Sequence, residues 1–158
     1  MKLDPTRWSI GSKIEVPDLD RPWLNYLVRY RLIQTPWFGI YLHRINLPDS
    51  RPTLHDHPWN FVSIVLKGGY CERRATEPVN LSSARWRTYE AGQINRMPIG
   101  HAHYIASVFR KPTWTLVFVG RRQRVWGYWD EKAGLRHWTR FDRHPYADEF
   151  DAALRSRR

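Results

Sequence analysis

Residues 55–59 read His-Asp-His-Pro-Trp, and residues 92–103 read Gly-Gln-Ile-Asn-Arg-Met-Pro-Ile-Gly-His-Ala-His. Side chains alternate between the two faces of a β-strand, so His55 and His57 would point the same way on one strand. They would then stand about 6–7 Å apart along that face, close enough for one divalent metal ion to bind both imidazoles. We therefore expect a metal site whose third ligand comes from another part of the chain.

The composition is that of a folded protein with a strongly basic charge. The chain has 158 residues, of which 42% are hydrophobic and 15% aromatic, and its formal net charge is +11. This length fits one domain, predicted over residues 1–158, and the composition excludes a disordered chain. The basic residues are scattered, which favours a solvated surface and leaves open an acidic partner such as nucleic acid or an anionic small molecule.

The cysteine content and the apolar segments indicate the compartment. Cys71 is the only cysteine, which excludes intrachain disulfides and cysteine-based zinc clusters. No stretch resembles a signal peptide, and no run of about 18 apolar residues occurs. These features predict a cytoplasmic protein with no membrane partner.

Short segments rich in β-branched and aromatic residues follow one another from residue 37 onward, separated by glycine and proline. The strongest segments are 61–66, 103–109 and 113–119, and Lys67-Gly68-Gly69 predicts a tight turn between two strands. This series predicts an all-β, antiparallel sandwich or barrel over residues 37–120. The exposed strand edges of such a barrel would also allow a homodimer.

Two elements are predicted outside the barrel. Asp20 resembles a helix N-cap, and the apolar spacing that follows is typical of an amphipathic helix, so a short N-terminal helix is predicted over residues 21–33. Residues 121–158 are predicted to form a C-terminal extension, in which two short strands flank residues 130–134 as a hairpin.

The spacing of the two histidine stretches resembles the cupin superfamily, whose members are small β-barrels of the jelly-roll type. The family's second motif is matched at the required spacing by four residues, Gly92, Pro98, Gly100 and His103. His55 and His57 match the His-x-His pair of the first motif, but Val62 stands where that motif has an acidic residue, and Ser107 replaces the asparagine of the second. The resemblance implies a cupin barrel that binds a metal ion through His55, His57 and His103.

The donor set by itself does not choose the metal, because imidazole suits iron, zinc, copper and nickel. A three-histidine cupin without the carboxylate is similar to the thiol dioxygenases, which use iron, so iron is the favoured cofactor and zinc, nickel, manganese and copper are alternatives. Such a site keeps its full dipositive charge, which favours a small anionic substrate. The resemblance thus implies an iron-dependent oxygenase. The alternative is a non-catalytic cupin that binds a small ligand or nucleic acid, with the metal structural or absent.

Five further residues are candidates for the pocket wall or for contact with substrate, namely Tyr41, His43, Trp59, His101 and Tyr104. Tyr41 and His43 share one face of a predicted strand, and His101 has the same parity as His103. Each of the five has a plainer alternative as a core or rim residue. Asp56 lies on the face opposite the histidine pair, where it could help to orient an imidazole or simply contact solvent.

Overall fold

The computed structural model describes residues 8–18, 20–77, 81–130 and 134–137. Within this part of the chain all strand pairings are antiparallel, which confirms the predicted all-β antiparallel architecture. The strands are β1 Ser9–Pro17, β2 Asn25–Gln34, β3 Gly39–Ile45, β4 Phe61–Ala75, β5 Arg85–Glu90, β6 Ile94–Met97, β7 Ala102–Val119, β8 Gly127–Asp130 and β9 Gly134–His137, with a short 3-10 turn at Leu81–Ser83.

The N-terminal helix predicted over residues 21–33 is wrong, because Asn25–Gln34 is strand β2. Asp20, the predicted N-cap, lies instead in a turn in which the Asp18 carboxylate accepts the backbone N–H groups of Asp20 and Arg21, at 3.1 and 2.8 Å. β2 then pairs with β1 on one side and β3 on the other. Hydrogen bonding on both edges outweighs the helical spacing of the apolar residues.

Strands β4 and β7 form the centre of the main sheet, whose order is β1-β2-β3-β7-β4-β5, with β6 also pairing with β4. Their mutual register shifts on both sides of Lys67. Residues 61–65 of β4 pair with the second half of β7, whereas residues 69–75 pair with its first half. Bulges of this kind bend a strand. The predicted turn at Lys67-Gly68-Gly69 is therefore a bend within one continuous strand.

Two apolar clusters lie inside the curved sheet. Leu27, Ile45, Val65, Tyr70 and Val108 form the first cluster. The second consists of Tyr41, Val117 and Val119, with Trp59 and Phe61 packed against it. Both clusters contribute side chains to the wall of one interior cavity. The core of the sheet therefore surrounds a cavity.

The predicted C-terminal hairpin is present as the antiparallel pair β8 and β9. Residues 131–133 and 138–158 of the predicted extension lie outside the described residues, and the assignment of residues 1–158 to one domain stays a prediction. No helix in the described part of the chain has the length and apolarity that crossing a membrane would require.

We expect Thr113 of β7 to stabilise the bend in β4. Its hydroxyl donates to the Gly69 carbonyl and accepts the Gly69 N–H, both at 2.9 Å, and the residue is fully buried. Thr113→Val removes both bonds at nearly constant shape, and we expect it to lower the free energy of unfolding by about 1–3 kcal/mol. Urea denaturation followed by tryptophan fluorescence would measure the change. Thr113→Ser, which keeps the hydroxyl, should lose less, and equal losses in the two variants would contradict this role.

Candidate metal centre

A reciprocal pair of backbone hydrogen bonds brings the two histidine stretches together. The N–H of His55 donates to the carbonyl of His103 and the N–H of His103 to the carbonyl of His55, both at 2.9 Å. Residues paired in this way project their side chains to the same face, and the two ring centroids lie 4.9 Å apart. The ring of His57 joins them at 5.3 Å from His55 and 5.0 Å from His103.

The three imidazoles have a geometry that fits a divalent metal ion. Each offers one nitrogen, and these nitrogens all lie within 4.8 Å of one another. The Nε2 atoms of His57 and His103 are 2.9 Å apart, and two nitrogens about 2.0–2.1 Å from one ion at right angles would be separated by about 2.9 Å. The donor set therefore has the chemistry of a three-nitrogen site, and its His57–His103 pair has the spacing that one ion requires.

The electrostatics of the cluster favour neutral imidazoles, the form that binds metal. Burial, with a contribution from the neighbouring His103, lowers the pKa of His55 to about 3. Burial and the two adjacent imidazoles lower the pKa of His57 well below its ordinary value. Both rings are thus neutral near pH 7 and keep a lone pair available.

Glu72 orients His103 from a buried polar network that sequence reasoning missed. Its carboxylate Oε2 lies 2.7 Å from Nδ1 of His103, so Nδ1 carries the hydrogen and Nε2 faces the cluster. Arg74 pairs with the same carboxylate, and Asn95 donates to it at 3.2 Å and to the Tyr70 hydroxyl at 2.7 Å. Burial alone would raise the pKa of Glu72, but His103 and Arg74 outweigh it and hold the pKa below its ordinary value. Tyr70, Glu72 and Arg74 alternate along β4, yet only the fold shows that this face points inward.

A cavity of about 130 Å³ adjoins the three histidines. Of the residues predicted for the pocket, Tyr41, His43 and Trp59 line it. His101 and Tyr104 are not among the described residues that line it. Tyr104 packs instead in a separate buried cluster with Leu54, Ala75 and Ala102.

Arg29 also lines the cavity, although the helix prediction for residues 21–33 gave no reason to expect it there. Its Nε donates to Nε2 of His43 at 3.0 Å, and its guanidinium lies 5.3 Å from the centroid of the Tyr41 ring. Burial and the adjacent cation lower the pKa of His43 well below its ordinary value, so His43 is a neutral acceptor. Among the described residues, Arg29 forms no ion pair with a carboxylate. An amphipathic helix over residues 21–33 would have placed Arg29 on the solvent side, whereas the strand directs it inward beside His43.

Comparison with known proteins places the fold. No protein-family model and no curated protein matches the chain. Among solved structures, HEPD from Streptomyces albus, with its substrate 2-hydroxyethylphosphonate and Fe(II) bound, matches at a TM-score of 0.52 and 15% identity over 71% of this chain and 24% of that one. Hydroxypropylphosphonic acid epoxidase from S. wedmorenis matches at 0.51 and 11% identity, over 74% of this chain and 64% of that one. A deletion mutant of Bacillus subtilis oxalate decarboxylase matches at 0.51 and 16% identity, over 66% and 28%.

These likenesses are likenesses of fold, and they confirm the predicted cupin-type β-barrel. The chain spans about a quarter of the length of HEPD and of the decarboxylase, and about two thirds of the epoxidase.

Asp49 should make the folded protein less stable as the pH rises from about 4 to 6. It lines the cavity, accepts the N–H of Ile105 at 2.7 Å, and its pKa is raised to about 6 by burial. The unfolded carboxyl ionises near pH 4, so between pH 4 and 6 the folded state binds more protons and loses stability as the pH rises. We expect Asp49→Asn, which keeps an acceptor for Ile105, to stabilise the metal-free protein by about 1–3 kcal/mol at pH 7.5 and hardly at all at pH 4.

Urea denaturation at the two pH values would measure this difference. The matched control is Asp20→Asn at an exposed aspartate, which should not change the pH dependence. An Asp49→Asn protein that is less stable than wild type at pH 7.5 would contradict the expectation.

Proposed function

We propose that this protein is a metal-dependent cupin in which His55, His57 and His103 bind iron(II), and that it oxygenates a small anionic substrate. The observation that carries the proposal is the convergence of three imidazoles on a cavity that also contains Arg29, for which the described residues provide no carboxylate partner. Zinc, nickel, manganese and copper are the alternative metals, because imidazole binds all of these ions.

The metal part of the proposal is supported by the donor set and by the orientation of one donor. The hydrogen on Nδ1 of His103 is held by Glu72, an arrangement that fixes the tautomer and raises the basicity of a ligating imidazole. Iron is supported by HEPD, which shares the fold and whose structure contains Fe(II). When bound, iron(II) supplies the redox chemistry by which an organic substrate reacts with dioxygen.

The anionic substrate is supported by the position of Arg29, a half-buried cation on the cavity wall. A cation that is partly removed from water without an opposite charge costs free energy unless a ligand compensates it. His43 occupies the Nε–H of Arg29, which leaves the terminal nitrogens to donate to a carboxylate, phosphonate or similar oxyanion. His43 thus orients the guanidinium, and Arg29 orients the substrate.

The remaining walls would keep the reacting groups out of bulk water. Trp59, Phe61, Val117 and Val119 line the cavity with apolar surface, which strengthens the attraction between Arg29 and an anion. The cavity volume of about 130 Å³ admits only a small molecule. We therefore expect a substrate of few atoms with one oxyanionic group.

The metal ligands can be tested by single substitutions. We expect wild-type protein without a histidine tag to take up close to one Fe(II) per chain under anaerobic conditions. His57→Ala should lose most of this uptake and keep its far-ultraviolet circular dichroism, because one of three ligands is removed. His101→Ala is the matched control and should retain its iron. Equal iron content in His57→Ala and wild type, or a folded wild-type protein that takes up no metal, would refute the site.

The reaction can be tested with an oxygen electrode. We expect the Fe(II)-loaded protein to consume dioxygen with some member of a panel of small thiol carboxylates and hydroxyalkyl phosphonates, and not with uncharged analogues. Arg29→Met should raise KM about 10- to 100-fold at unchanged iron content, since a charge-assisted hydrogen bond is worth about 1.5–3 kcal/mol. Arg44→Met, on the exposed face of β3, is the control. Iron uptake without dioxygen consumption for any compound would favour the non-catalytic alternative.

A further inference from the structure

A segment beyond the barrel lies along the stretch that carries two of the three histidines. We call residues 123–129 the strap. Three backbone hydrogen bonds join it to residues 54–58, from Gln123 N–H to the Pro58 carbonyl at 2.8 Å, from Asp56 N–H to the Gly127 carbonyl at 3.0 Å, and from Trp129 N–H to the Leu54 carbonyl at 2.8 Å. The strap therefore pairs with the histidine segment along most of its length.

Asp56 adds a side-chain connection to the strap. It is fully buried between His55 and His57. Its Oδ1 accepts the N–H of Gly127 at 2.8 Å, and its Oδ2 lies 2.6 Å from a terminal nitrogen of Arg124. A buried carboxylate needs such partners to offset its desolvation. The side chain of Asp56 thus links the histidine segment to the strap.

Backbone hydrogen bonds hold the histidine segment from two sides. Residues 46–60 contain no strand, and on the side of β7 the described backbone hydrogen bonds of residues 54–58 are the His55–His103 pair, beside which Leu54 packs against Ala102 and Tyr104. The opposite side is held by the strap, whose Tyr128 pairs with His55 and whose Trp126 ring lies 6.3 Å from the His55 ring. The segment therefore lies between β7 and the strap and forms backbone hydrogen bonds with both.

We infer that the strap is a positioning element of the metal centre, and that Asp56 and Arg124 set the placement of His55 and His57 relative to His103. This inference rests on the proposed metal site. Asp56 acts through the backbone, because it points away from the face that carries the two imidazoles. The barrel supplies His103, and the chain after the barrel holds the other two ligands in place.

The test uses Co(II) as a spectroscopic probe of the full-length protein. Affinity is measured by competition with a chelator, and the geometry of the site by the visible d–d absorption. We expect Asp56→Asn and Arg124→Gln each to weaken Co(II) binding about 10- to 100-fold, as loss of a partner outside the ligand set does in metal sites. The d–d bands should also shift. Arg124→Lys, which keeps the charge, should recover most of the affinity.

Arg121→Gln is the matched control, because it removes a nearby exposed arginine outside the strap. It should bind Co(II) like wild type. Thermal denaturation of each variant separates positioning from folding, since a merely structural role would lower the melting temperature and leave the spectrum and affinity of the folded protein unchanged.

The outcomes distinguish this inference from the proposed function. Wild-type affinity and spectrum in folded Asp56→Asn and Arg124→Gln would overturn the inference and leave the metal site standing. A wild-type protein that binds no Co(II) would refute the metal site, and the inference with it.

Discussion

The candidate site depends on the reciprocal backbone hydrogen bonds between His55 and His103. They join a segment without strand structure to the long strand β7, across 48 residues of sequence. Because paired residues share a face, this one contact decides that imidazoles from two distant stretches meet on the cavity. The strap holds the same segment from its other side. The arrangement of the three imidazoles thus depends on the packing of three backbone segments.

Several charged groups are buried or half-buried in this fold, and they differ in whether an opposite charge compensates them. Glu72 is paired with Arg74 and hydrogen-bonded to His103, and Asp56 is paired with Arg124. In each pair the two groups compensate each other's charge, and their hydrogen bonds hold the side chains in one arrangement. Arg29 is supported only by a neutral imidazole and an aromatic ring among the described residues. This cation has no charge compensation within the described part of the chain, and the proposed anionic ligand would supply it.

The pattern of the second motif was predictable because it rests on local backbone geometry. Gly92 and Gly100 have φ angles of +89° and +91°, a region that glycine adopts without strain. The N-terminal helix was not predictable in the same way. The spacing of Tyr26, Leu27 and Tyr30 is typical of a helix, and pairing with β1 and β3 overrides it. The wrong helix prediction also placed Arg29 on the solvent side, away from the cavity.

The amino-acid sequence by itself determined the antiparallel β architecture, the glycine turns and the parity that sets His55 and His57 on one face, because each depends on neighbours within a few residues. Tertiary structure alone decided that Glu72 orients His103, that Arg29 enters the cavity, and that Asp56 binds the strap. These contacts join residues 31, 14, and 68 to 71 positions apart. Strand register and the pairing of buried charges determine which residues meet. No local sequence pattern encodes the register or the pairing.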